Sequence, residues 1–154
     1  MRIGAESGYV AATLKQALAI LRKDTAAAYY RLVRELDGLS VFIEVGQERF
    51  QLRCSADRIV FGPMMGSPDV LVTTRPAAIL ALIDGRIGVM DCILAGDLDL
   101  RAEVDTLPNI ARASVAFAEG AIRSRGMRAL LASFRERVGL ERAVPADQSF
   151  RSIM

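Results

Sequence analysis

The sequence predicts an α+β fold: a largely antiparallel five-stranded sheet covered on one face by helices, with an N-terminal helical pair and C-terminal helices. Three observations predict it. Between Leu39 and Gly62, three short runs of alternating apolar and polar residues follow one another with turn residues between them, as in a meander. From Asp69 to Arg101, two more alternating runs enclose apolar segments with helical spacing. On both sides of this block, apolar residues recur at three and four, the period of a helix buried along one face.

In chain order, Gly8 to Lys23 carries Val10, Ala11, Leu14, Ala17, Leu18 and Leu21 on one helical face, with Lys15, Gln16 and Arg22 turned away. Asp24 or Thr25 can cap the second helix, whose apolar positions are Ala28, Tyr29, Leu32, Val33 and Leu36 and which Gly38 closes. Leu39 to Val45 and Arg49 to Cys54 form a hairpin about Gly46-Gln47-Glu48. In its second strand Phe50, Leu52 and Cys54 point inward and Arg49, Gln51 and Arg53 outward. Ser55-Ala56-Asp57 turns into a third strand, Arg58 to Gly62, around Ile59 and Phe61. The loop Gly62 to Pro68 is rich in glycine and proline and carries Met64 and Met65.

The stretch Asp69 to Arg101 organises the rest. Asp69 to Thr74 alternates as a strand, and Thr74 can cap a helix with Pro76 in its first turn, where a missing N–H costs nothing. Ile79, Leu80, Leu82 and Ile83 give that helix a broad apolar face before Gly85 stops it. Met90 to Ala95 is a short apolar run with Asp91 as a possible cap and Gly96 as its end. Asp97 to Arg101 then alternates as the fifth strand, with Leu98 and Leu100 on one side and Asp97, Asp99 and Arg101 on the other, wet side. A helix starting near Thr106-Leu107-Pro108 runs through Ile110, Ala113, Phe117, Ala118 and Ile122 to about Arg123. Gly126 breaks or kinks it before a last helix, Met127 to Val138. From Gly139 a polar tail with Pro145 is expected to be loosely held, with Phe150 and Ile153 available to dock.

A strand, a Pro-started helix ending Leu-Ile-Asp-Gly-Arg, and then Asp-Cys-Ile-Leu-Ala-Gly-Asp-Leu-Asp-Leu resembles the sterol carrier protein 2-like domain. With the upstream strands included, the resemblance covers Leu39 to Leu107. It departs from the family after the fifth strand, where another glycine is usual and this chain continues Arg101-Ala102-Glu103. The resemblance implies an apolar tunnel between sheet and helices that binds fatty acyl chains, sterols or isoprenoid-like molecules. Its lining here would be Phe50, Leu52, Phe61, Leu80, Ile83, Met90, Ile93, Leu94, Leu98 and Leu100, with Phe117 closing it from above. Met64, Met65 and Met90, flexible and polarizable, are candidates for a mobile mouth. The plain alternative is that this apolar stripe is only a core.

A length of 154 residues suits one domain, 1–154, made of N-terminal helices (1–38), the core of the resemblance (39–107), C-terminal helices (108–138) and a tail (139–154). The 52% apolar and 25% charged composition, with no run of about 18 apolar residues, describes a soluble globular protein without a membrane span. The N-terminus reads as a helix of the mature protein because Glu6, Lys15 and Gln16 interrupt any signal-like core. Two cysteines, Cys54 and Cys92, fit core positions in a reducing cytoplasm. The formal charge is +2, and every cation except Lys15 and Lys23 is arginine, the usual coding preference of a GC-rich genome, expected to be bacterial. The arginines Arg123, Arg125, Arg128, Arg135 and Arg137 read as a solvated helix face rather than a nucleic-acid stripe.

The chain has no histidine, which removes Ser-His-Asp triads, Cys-His dyads and His-ligated zinc, and two cysteines are too few for a thiolate zinc site. No metal and no cofactor is expected. Asp91 is better explained as a helix cap than as a buried acid, and Cys92 as packing than as a nucleophile; of Tyr29 and Tyr30, one should face the core and one solvent. The expected function is therefore non-catalytic carriage of a hydrophobic small molecule. The alternatives are an accessory subunit, a homodimer or other protein-binding scaffold that presents such a molecule to an enzyme, and a cavity enzyme using Asp84, Asp91 or a tyrosine.

Overall fold

A computed structural model describes the backbone of residues 8–84 and 86–153 and side chains as far as Leu140; Gly85, expected to stop a helix, lies outside the described residues, as do the side chains of Phe150 and Ile153. In chain order the elements are α1 (Tyr9–Asp24), α2 (Ala26–Leu36), β1 (Ser40–Val45), β2 (Glu48–Ser55), β3 (Arg58–Gly62), β4 (Val70–Thr74), α3 (Pro76–Ile83), α4 (Val89–Leu94), β5 (Asp99–Ala102), α5 (Leu107–Ile122) and α6 (Arg125–Ile153). The α+β class and the N-terminal helical pair are as expected.

The sheet is mixed rather than largely antiparallel. Its order is β3-β2-β1-β4-β5, and the central pair, β1 and β4, is parallel. The reason lies in the register. Gly62, Gln51, Phe42 and Leu71 share one row across four strands, so β3 ends at the level where β4 begins. The connection from 63 to 69 need only cross three strand spacings, roughly 14 Å, well within the reach of seven residues, and no helix is needed to return the chain.

The β1–β2 hairpin turns on Gly46, at φ +63°, the first central position of a two-residue loop, where only glycine is unstrained. The period-2 alternation then sorts the faces. Phe50, Leu52 and Cys54 are buried, with Val41, Val45 and Val70 beside them, while Arg49, Arg53, Asp99 and Arg101 are exposed on the other side. Gln51 is the exception to the wet face. It is only 6% exposed because the 63–69 loop lies over it: its amide donates to Ser40 Oγ at 2.6 Å and its carbonyl accepts from Met65 N at 3.0 Å. Asp69 closes the loop by accepting from Ser40 N at 2.7 Å.

The core has two parts. On the sheet, Val10 and Ala11 of α1, Leu80 of α3, and Phe134 and Val138 of α6 pack against Val41, Val45, Phe50, Leu52 and Val70. Among the helices, Ala17, Leu18 and Leu21 of α1 meet Tyr29, Leu32 and Val33 of α2, Ala113 and Ala116 of α5 and Met127 of α6. Gly120 sets how closely α5 lies: a Cβ there would stand 2.5 Å from Leu21 and 2.8 Å from Ala28.

Several local expectations are corrected. The break after α5 falls at Ser124, not at Gly126, because the Ser124 hydroxyl accepts the Met127 N–H and so caps α6. The backbone is helical to Ile153, past the expected helix end at Val138; Gly139 alone, at about 1 kcal/mol against alanine, does not end the helix. Thr74 does not cap α3. Its hydroxyl donates to the Asp97 carbonyl at 2.7 Å, and Arg75 takes the cap position. Asp91 is not a cap either, since α4 begins two residues earlier, at Val89 behind Gly88.

Candidate hydrophobic-ligand site

The region singled out by sequence is the α3–α4 segment and the strands below it. Pro76 starts α3 after an extended Arg75, and Ala78 and Leu80 bury one side of the helix. Ile83, at the other side, is 38% exposed. On α4 the single buried side chain is Cys92, whose carbonyl accepts from Asp97 N and Leu98 N at 3.0 and 3.3 Å. The rest of α4 faces out, with Val89 55%, Met90 66% and Leu94 78% exposed. Arg75 holds Asp97 at 2.8 Å, and Arg135 of α6 reaches Asp84 at the end of α3, which also lies 3.7 Å from Arg86. The segment is thus fixed at its ends by ion pairs and beneath by Leu80 and Cys92, while its outer surface is apolar.

The residues expected to line a tunnel fall into three groups. Phe50, Leu52 and Leu80 are buried together, with Phe61 and Leu100 packed against them; the Phe50 and Phe61 rings stack with centroids 6.0 Å apart. Ile83, Met90 and Leu94 are on the outer surface, and Ile93 and Leu98 are half-buried. Phe117 belongs elsewhere: it packs in the helical part of the core, because Ala113, Ala116 and Gly120 turn that side of α5 toward α1 and α2. Met64 and Met65 are also away from the segment, since their loop covers Gln51 on the opposite face of the sheet.

A shallow groove of about 280 Å³ lies between α2 and α5, where none of the expected residues is found. Ala111, Val115 and Ala116 form its floor, and the pairs Arg31–Glu119 at 2.6 Å and Arg112–Glu35 at 3.0 Å bracket it. Its sequence signal is the outward spacing of Ala111 and Val115 on a helix whose other side is also apolar.

The titratable groups are dispersed. Asp84 is ion-paired and Asp91 is exposed. Tyr29 is buried and Tyr30 exposed; the Tyr29 hydroxyl donates to the Asp57 carbonyl at 3.4 Å, and burial raises its pKa above the usual tyrosine value. Cys54 and Cys92 are both 1% exposed, and burial, with the nearby Asp37 charge, pushes the Cys54 thiol up to about 11, the opposite of what a nucleophile needs. Among the described residues no cluster of three or more acidic or cysteine side chains could hold a metal ion, and no helix is long and apolar enough to cross a membrane.

Neither a protein-family model nor a curated protein matches the chain. Solved structures do. The UbiJ-SCP2 ubiquinone synthesis protein superposes with a TM-score of 0.51 at 20% identity, covering 66% of this chain and 85% of that one. A sterol carrier protein 2 gives 0.48 at 14% identity over 73% and 95%, and sterol carrier protein domain 2 of Helicoverpa armigera gives 0.45 at 14% over 69% and 89%. The chain has the sterol carrier protein 2-like fold.

Proposed function

We propose that this protein binds and carries a hydrophobic small molecule, without catalysis, at the α3–α4 edge of its sheet–helix core. The observation that carries the reading is the apolar outer surface of Ile83, Val89, Met90 and Leu94 on a segment anchored by only a few buried side chains. Exposed apolar groups gathered in one place mark binding surfaces more often than isolated ones do. Lifting α4 unburies little beyond Cys92 and Ile93, and by this reading it opens a way past Leu80 into the sheet–helix core to which Leu100, Phe50 and Leu52 belong. An acyl, sterol or isoprenoid chain entering there gains about 0.8 kcal/mol for each CH2 it buries, with no directed chemistry required.

A second reading is favoured by the UbiJ-SCP2 likeness, a protein whose description places it in ubiquinone synthesis. By that reading the molecule carried is isoprenoid-like and is presented to a partner enzyme, this chain being the accessory. Native mass spectrometry of the purified protein, followed by organic extraction, tests both. A co-extracted lipid identifies the class, and a protein that is empty and shows no saturable uptake of fluorescent acyl, sterol or isoprenoid probes overturns the carrier reading.

A further inference from the structure

Four helix ends meet at one pole of the molecule. The last turn of α1 and the first turn of α6 are joined by the Ser124 hydroxyl, which donates to Asp24 at 2.6 Å, and by Gly126, whose Cβ would lie 3.1 Å from Ile20. Gly120, near the end of α5, lies against Thr25 and Ala28, where α1 passes into α2. This convergence gathers Lys23, Arg123, Arg125 and Arg128, all exposed, and none makes an ion pair among the described residues. Arg22 lies beside them over the Tyr29 and Tyr30 rings. Of the nearest carboxylates, Asp24 is occupied by Ser124 and Glu119 by Arg31. Five cations against Asp24 and Asp57, the carboxylate whose charge acts on Arg22, give this pole a charge of +3 in a chain that sums to +2. Among the described residues, positive charge is concentrated at this pole.

We propose that this pole docks on an anionic lipid bilayer surface. Unpaired guanidinium and ammonium groups match phospholipid headgroups, and the clustering of four or more is what gives useful attraction to a charged leaflet. Ile122, next to Arg123 at the tip of α5, selects lipid over nucleic acid. It is 77% exposed, an apolar side chain with nothing to gain from a phosphate backbone but with area to bury at the headgroup–acyl boundary. The surface consists of helix ends rather than a helix face, and its exposed ring, Tyr30, is taken by Arg22, so neither a duplex groove nor a single strand is fitted by it. The inference stands without a carried ligand, and its test uses none.

Co-sedimentation of the full chain with phosphatidylcholine vesicles, with and without about a third phosphatidylglycerol, is read at low and high salt. Binding is expected only to the anionic vesicles and is lost at high salt. Each cation replaced by glutamine lowers the partition coefficient about fivefold, so R123Q/R125Q falls on the order of 25-fold, and K23Q/R128Q by as much. Ile122→Ser lowers it further, and R53Q, on the open sheet face, leaves it unchanged. Circular dichroism melts show that each variant is folded. Equal binding to neutral vesicles, no binding at low salt, undiminished binding by both double variants, or retention on an RNA oligonucleotide without vesicle binding overturns the proposal.

Discussion

The Ser124 hydroxyl donates to the Asp24 carboxylate at 2.6 Å across 100 residues of sequence, and the same oxygen accepts the Met127 N–H at 3.2 Å. One side chain therefore caps α6 and ties its first turn to the last turn of α1. Ser124→Ala loses both bonds in a site that is 1% exposed and is expected to cost about 1–2 kcal/mol in urea unfolding. Ser133→Ala, on an exposed turn of the same helix, is the comparison; an equal effect of the two would refute the capping role.

Glu48 does the same for the other end of α1, accepting from Val10 N at 3.1 Å and Ala11 N at 2.7 Å. The carboxylate comes so near Gly8 that a Cβ there would meet it. Glu48→Ala is expected to cost about 1–2 kcal/mol through the lost cap and its charge at the helix start. Gly8→Ala expels the carboxylate and costs a similar amount. Because both act on one contact, the double variant is no worse than the poorer single one, and a double-mutant cycle giving plain additivity would contradict this geometry.

Ala56, in the β2–β3 turn, sits at φ +56°, where a Cβ is strained. Asp37 fastens its N–H at 2.9 Å. Ala56→Gly relieves the strain and is expected to stabilise the protein by roughly 0.5–1 kcal/mol, less than the full strain because glycine gains freedom when unfolded. A lowered unfolding midpoint would show that the strain is already absorbed by the turn.

The Cys54 thiol, raised to about 11 from 9.0, links stability to alkaline pH. The folded state disfavours the thiolate, so the contribution is fully present below pH 9 and is lost as pH rises through about 11. Cys54→Ala should flatten that part of the pH–stability curve. At pH 8 the native protein should resist thiol reagents until denaturant is added, and prompt modification of Cys54 would disprove its burial.

Leu94→Asp and Met90→Asp change only exposed positions, so melting temperatures should hold within the effect of about 0.5 kcal/mol typical of surface changes. Uptake of a fluorescent acyl probe should nevertheless fall severalfold. Full uptake by both variants would exclude α4 as the entrance.

What the sequence made legible was whatever short-range pattern decides. The alternation through Phe50, Leu52 and Cys54 marks the buried face without error, and the spacing of Val10, Leu18 and Leu21 or of Leu32 and Val33 marks the helical one. Features decided by distant partners were hidden. Gln51 looks like a solvent residue until a loop fourteen residues on covers it, and the parallel β1–β4 pair depends on the level at which β3 ends. In the candidate site, the α3–α4 segment is apolar nearly all round, so periodicity could not say that Leu80 goes in while Ile83, Met90 and Leu94 stay out. Phe117 was misplaced for a related reason. The small residues that face inward on α5, Ala113, Ala116 and Gly120, carry little hydrophobic signal, yet they decide which way the helix is turned.

Synthesis delivers α1 before its partners: the carboxylate for its start arrives with Glu48 and the hydroxyl for its end only with Ser124. A helix of sixteen residues is marginal alone in water. On the ribosome it must wait, one end open, while the sheet assembles and α5 emerges. A helix made before the sheet is thus fastened only after it, and a product truncated before α6 leaves it unlatched, a handle by which a quality-control protease can tell an unfinished copy from a finished one.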